Sequence, residues 1–152
     1  MSMKSWKEEF YPTESSEEAN AASNEAAIKH SLQKWRGLRV ENLEKHDLVI
    51  VCGPTTIPSI EDAVAPFERF KVNGNSCSLC NMSGWMAKCR ECPLSKVRAG
   101  HPCDEKCSLD ENPTFPTNSV RDPWRVWTYD TNPEPMIYWL EKALEKEQNE
   151  NH

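Results

Sequence analysis

The chain reads as a small α+β protein with two principal helices, a sheet of short strands and an irregular cysteine-rich loop region. Three observations predict this. Ile28, Leu32 and Trp35 recur at helical spacing, as do Ile137, Leu140 and Leu144, so each set makes one apolar stripe. Residues 48–52 form a short β-branched run between Asp47 and Gly53-Pro54, which suits a strand. Six of the seven cysteines fall between Cys77 and Cys107, where apolar residues are sparse.

The elements follow in order. Trp6, Phe10 and Tyr11 precede Pro12, and residues 1–14 read as an extended N-terminal arm that docks on the rest. Ser15 with Glu18 makes a capping box, in which each side chain satisfies a backbone N–H of the first helical turn. The alanine-rich stretch then favours helix up to Arg36, and Gly37 suits the residue just past its end. Residues 40–45 read as a short second helix with Leu43 inward. After the strand at 48–52, prolines break the chain, and one turn of helix is expected at 59–63, capped by Ser59 with Asp62. Residues 67–72 read as a second strand ending at the Asn73-Gly74 turn. Residues 108–123, rich in Pro, Asn and Asp, read as loop, after which Trp124, Trp127 and Tyr129 are all expected to bury. Asn132 before Pro133 is an N-cap followed by the residue favoured at the first helical position. The last helix runs from there to about Glu147, leaving 148–152 as a frayed tail. Residues 15–147 then make one small domain.

Composition narrows the function. With 152 residues, 38% of them hydrophobic, apolar burial alone is thin, although six tryptophans supply large side chains. A net charge of -6 and a pI near 5.3 argue against a generic nucleic-acid binder. The charge is uneven: residues 76–107 hold Lys88, Arg90, Lys96, Arg98 and Lys106 against Glu91, Asp104 and Glu105, a local net of +2. The N-terminus has no apolar core of a leader, so no signal peptide is expected. The longest apolar run is far too short to span a membrane, and no membrane partner is expected. A reducing cytoplasm is the expected compartment, and there clustered cysteines serve as metal ligands rather than disulfides.

Cys77, Cys80, Cys89 and Cys92 read C-x2-C-x8-C-x2-C. Two such knuckles converge four thiolates on one tetrahedral zinc at about 2.3 Å, leaving no open position for catalysis. The expected metal-binding module spans residues 76–107, and zinc is the staple of the loop region. An iron–sulfur cluster is the rival, echoed by Cys92-Pro93. His101, Cys103 and Cys107 are further candidate ligands, which leaves one zinc or two open. A zinc deaminase is excluded, because Pro102-Cys103 to Cys107 is one residue too long and no histidine is followed by x-Glu. No Ser-His-Asp trio, phosphate loop or paired carboxylates stand out, so no catalytic residue is named.

Two groups could bind partners. Trp85 lies between Met82 and Met86 beside Lys88 and Arg90, and with Lys96 and Arg98 it suits a protein or single-stranded nucleic-acid contact. His30, Lys34, Arg36 and Arg39 give the first helix a basic end, with His46 beyond. A solvated helix C-terminus is the plain reading there, and a phosphate or partner contact the sharper one.

Several stretches together resemble a known group. They are Glu9-Phe10-Tyr11-Pro12, residues 30–39 with Glu41-Asn42-Leu43 and Lys45-His46, Cys77-Ser-Leu-Cys80, Cys89-x-x-Cys92-Pro93-Leu94, and a tryptophan-rich ending with Met136-Ile137. This combination is similar to a family of small cysteine-containing proteins of tailed bacteriophages, over the N-terminal third, the cysteine module and the C-terminal helix; residues 48–75 lie outside it. The resemblance implies an infected bacterial cytoplasm, and it adds weight to the cysteines as ligands, with one near Cys103. It lends no activity. The function expected is a non-enzymatic, zinc-stabilised phage protein that binds a host or phage protein. The alternatives are a nucleic-acid-binding protein using the basic aromatic zinc loop, and an iron–sulfur or redox protein.

Overall fold

The computed structural model describes residues 3–12, 23–51, 58–63, 69–72, 93–98, 103 and 122–150. Six helices and three strands occur among them: α1 Met3–Phe10, α2 Asn24–Arg36, α3 Val40–Lys45, β1 Leu48–Val51, β2 Ser59–Asp62, β3 Arg69–Lys71, α4 Pro93–Val97, α5 Pro123–Asp130 and α6 Glu134–Glu150. The fold is α+β.

The two long helices, α2 and α6, pack antiparallel. Ser23 caps α2, its hydroxyl accepting from Ala26 N–H at 3.2 Å, and Gly37 follows its last residue. Ile28, Leu32 and Trp35 are buried along α2, while Ile137 and Leu140 are buried along α6, so both expected stripes meet in one core. The direction is read from polar ties along the seam. Arg39 reaches Glu134 and Arg36 reaches Glu141, while Glu25 receives Gln148 at the far end. Leu144 sits only partly buried, and Trp139, Ala143 and the stem of Glu147 continue the inward face of α6 in its place. Trp35 and Trp127 meet edge to face at 5.3 Å, which brings α5 into the same core.

The N-terminal residues are helical, not an extended arm, and they belong to the core. Met3, Trp6 and Phe10 recur at i, i+3 and i+7, so a short helix lays one apolar side on the body. Trp6 is fully buried, and its indole N–H donates to the Gly37 carbonyl at 2.9 Å. Its ring lies 5.2 Å from Phe70, which Tyr11 also meets at 4.8 Å.

The sheet is antiparallel with order β1-β2-β3. The helical turn expected at 59–63 is instead the central strand. Ser59 to Asp62 pair with β1 in the register Ile50↔Ile60, and Ile60 also faces Phe70 of β3. Four residues offer little helix propensity, and pairing on both sides with Ile60 wholly buried outweighs the local Ser–Asp cap. The strand follows Pro58, a residue tolerated at a strand start. Asp47 takes a left-handed conformation, φ 57°, and its carbonyl accepts from Ala63 N–H at 2.9 Å, closing the hairpin end.

Asp122 caps α5, its carboxylate accepting from Arg125 N–H at 2.9 Å, with Pro123 in the first turn. Trp127 is fully buried and Trp124 partly so, but Tyr129 is 66% exposed, against expectation. Two residues along a helix is a rotation of about 200°, so Trp127 and Tyr129 cannot share one inward face. Asn132 accepts from Glu134 N–H at 3.0 Å and starts α6 as expected. That helix continues to Glu150, with Gln148 tied to Glu25 and Lys146 paired with Glu150, so residues 148–150 are helix and not a frayed tail.

Candidate functional site

The four knuckle cysteines Cys77, Cys80, Cys89 and Cys92 lie outside the described residues, as do Trp85, Lys88, Arg90, His101 and Cys107. Cys52, the Ser15–Glu18 capping box and the Asn73-Gly74 turn lie outside them too. Among the described residues, no group of three or more His, Cys, Asp or Glu could hold a metal ion.

The described residues do show how the chain leaves the cysteine module. α4 begins at the residue after Cys92. It packs on α6 with Leu94 and Ser95 buried, and Arg98 just past its end is wholly enclosed. The Arg98 guanidinium lies over the Trp139 ring, 5.5 Å from its centroid. Five residues later Cys103 is half-buried against the core, and its carbonyl accepts from Trp124 N–H at 3.1 Å. α4 is thus seated on α6, and Cys103 is tied to the start of α5.

Burial redraws the proposed binding surface. Arg98 is a core residue over Trp139 and offers no surface to a partner, because its stem is enclosed and its head stacks on an aromatic face. Lys96 stays exposed, with its ammonium 3.7 Å from Glu147. It stands at one side of an open groove of about 640 Å³ between α4 and α6, whose floor includes Val97, Tyr138 and Trp139.

The basic end of α2 is only partly solvated. His30 and Lys34 are buried, one turn apart on α2. The His30 ring lies 5.0 Å from Tyr11, and the Lys34 ammonium 5.0 Å from the Trp35 ring. Arg36 pairs with Glu141 at 3.3 Å, and Arg39 forms a two-bond fork with Glu134. Arg36 and Arg39 thus tie the end of α2 and the turn after it to α6.

His46 takes part in a polar chain that the sequence reading missed. It caps the end of α3, is 8% exposed, and sits between two residues of α1. Its Nδ1 is 2.8 Å from Ser5 Oγ, and its Nε2 is 2.8 Å from Glu9 Oε1. Lys45 adds its ammonium at 2.7 Å from Glu9 Oε2. Hydrogen bonds from Lys45 and then His46 hold the Glu9 carboxyl below the ordinary glutamate pKa. An ionised carboxylate only accepts, so Nε2 carries a hydrogen, and in the neutral ring Nδ1 then accepts from the Ser5 hydroxyl. The available signal was the i, i+4 spacing of Ser5 and Glu9, which puts both on one face once α1 is read as a helix.

The chain matches no protein-family model, no curated protein and no solved structure. No helix among the described residues is long and apolar enough to cross a membrane.

Proposed function

We propose that the chain is a non-enzymatic, zinc-stabilised bacteriophage protein that binds a host or phage protein in the infected bacterial cytoplasm. The observation that carries this is the C-x2-C-x8-C-x2-C spacing, whose last cysteine runs directly into α4, where Leu94 and Ser95 are buried. The donor set fits zinc: four thiolates from two knuckles close a tetrahedral shell and leave no position for substrate. Cys77, Cys80, Cys89 and Cys92 would hold the ion, which supplies folding energy to a chain with modest apolar content. Enclosure of Leu94 and Arg98, and the tie from Cys103 to Trp124, support a module seated on the helical core. The burial of Arg98 and the pairing of Lys96 leave less basic surface for nucleic acid, so a protein partner is the better-supported reading.

Metal content tests it. Anaerobically purified protein is weighed by native mass spectrometry, alone and as Cys103→Ser and Cys107→Ser. One zinc retained in all three is the expected result. Absence of metal from the wild type, or iron in its place, overturns the zinc reading. Loss of metal on changing Cys103 moves the ligand set downstream.

A further inference from the structure

Ser5, His46 and Glu9 stand in the order nucleophile, base and orienting carboxylate, with 2.8 Å between each pair of polar atoms. We propose that Ser5 is an activated nucleophile and a site of covalent acylation by an activated acyl donor, such as a thioester or acyl phosphate. The hydroxyl of an ordinary serine is a poor nucleophile because its proton has nowhere to go in the transition state. Here the His46 Nδ1 lone pair receives that proton, and the emerging imidazolium is held by the carboxylate on its other nitrogen. The ring is buried and fixed between two residues of one helix, so the base is oriented before any donor arrives. Ser5 itself is only partly buried.

The step balances without another reactant. Ser5 Oγ forms a bond to the acyl carbon, and the bond from that carbon to the leaving group breaks. The hydroxyl proton passes to His46 Nδ1 and then to the departing thiolate or phosphate. The product is a serine ester, and the proposal stops there, in keeping with a protein that does not turn over substrate. The ester also removes the hydroxyl hydrogen that Nδ1 accepts, so α1 loses one of its ties to α3.

The probe is 4-nitrophenyl acetate, with acetylation at Ser5 followed by peptide mapping and total release by nitrophenolate absorbance. The wild type is expected to acetylate Ser5 faster than its other serines. His46→Gln is expected to slow that site by about 10²-fold or more, the usual worth of a general base. Glu9→Gln slows it in the same direction. Circular dichroism checks that both variants remain folded. Among the described residues, the groups facing His46 are Ser5 and Glu9 of α1, Lys45 beside it, and the Phe10 ring. A purely structural hydrogen bond gives no such loss of rate at Ser5. A wild type that forms no ester at Ser5, or a folded His46→Gln that acetylates there at the wild-type rate, overturns the proposal. Neither outcome bears on the zinc reading, which rests on other residues.

Discussion

Arg39 and Glu134 meet as a fork, Nε to Oε1 at 2.7 Å and Nη2 to Oε2 at 3.1 Å. The two residues are far apart in sequence, and the contact fixes the turn after α2 against the first turn of α6. The Glu134 carboxylate raises the Arg39 pKa further above its ordinary value. Both side chains are about a third exposed, so solvent screens the pair, and its net worth is about 0.5–1 kcal/mol. Arg39→Lys should lose most of that, because an ammonium cannot make two parallel bonds. A urea-denaturation cycle with Glu134→Gln checks it. A coupling near zero for the Arg–Glu pair would mean the fork only orients the helices.

Gly37 is needed for space. Its φ of -65° is open to any residue, so the left-handed cap suggested by a glycine after a helix does not apply. A Cβ there would meet the Phe10 ring at 2.5 Å from Cγ and 2.7 Å from Cβ. Atoms so near the backbone of Phe10 cannot swing aside without moving α1, which is also held by the Trp6 bond to the Gly37 carbonyl. Gly37→Ala should therefore cost about 1–3 kcal/mol, the usual scale of overpacking. Adding Phe10→Ala should relieve the clash, so the double variant loses less than the two single losses combined. Simple additivity in urea melts would place the steric conflict elsewhere.

Thr131 holds a left-handed conformation, φ 51° and ψ 34°, where α5 ends and its N–H bonds back to the Trp127 carbonyl. A β-branched residue is strained there, by roughly 1–2 kcal/mol relative to a right-handed conformation. Thr131→Gly releases the strain but frees the unfolded chain, and it removes the hydroxyl bond to the Asp130 carbonyl. Thr131→Asn tolerates the conformation with a smaller entropic cost. The asparagine variant should stabilise by about 0.5–1 kcal/mol, read as a raised thermal midpoint. A lowered midpoint would mean the hydroxyl bond outweighs the strain.

The long helices were legible because their stripes are long and periodic. Ile28, Leu32 and Trp35 needed only the 3.6-residue repeat, and Asn132 with Pro133 marked the start of α6. The misread short segments share one cause, which is that they take their structure from tertiary partners rather than from local pattern. Residues 59–62 carry a local helix-capping pattern, yet β1 and β3 pair with them from both sides. Residues 3–10 are too short to be a stable helix alone, and they are helical because Trp6 buries against Phe70 and α2. The same limit applies to charge. His30, Lys34 and Arg98 look solvated in a sequence, and only the packed aromatic rings of Tyr11, Trp35 and Trp139 reveal them as interior. The Ser5–His46–Glu9 chain joins α1 to the end of α3, so the i, i+4 spacing of Ser5 and Glu9 could not by itself announce His46 as their partner. The cysteine knuckles lie outside the described residues, and their proposed zinc chemistry rests on spacing alone.

Glu9 gives a pH dependence whose direction is set. Lys45 and His46 stabilise its charged form in the folded protein, so its folded pKa lies below the ordinary 4.5. The unfolded chain therefore takes up this proton at higher pH than the folded one does. The stability contributed by Glu9 is fully present above the unfolded value and is lost as pH falls through the folded pKa. Glu9→Gln removes the charge while keeping a hydrogen-bonding side chain. The stability difference between wild type and this variant should be flat from neutral pH down to about pH 5, then shrink below 4.5 as the carboxylate protonates in the unfolded state. Urea denaturation at a series of pH values measures it. The site is partly exposed, so ~1 M salt should reduce the plateau. A difference that persists undiminished well below the glutamate range would show that Glu9 contributes by packing against His46 and Gln33 rather than by its charge.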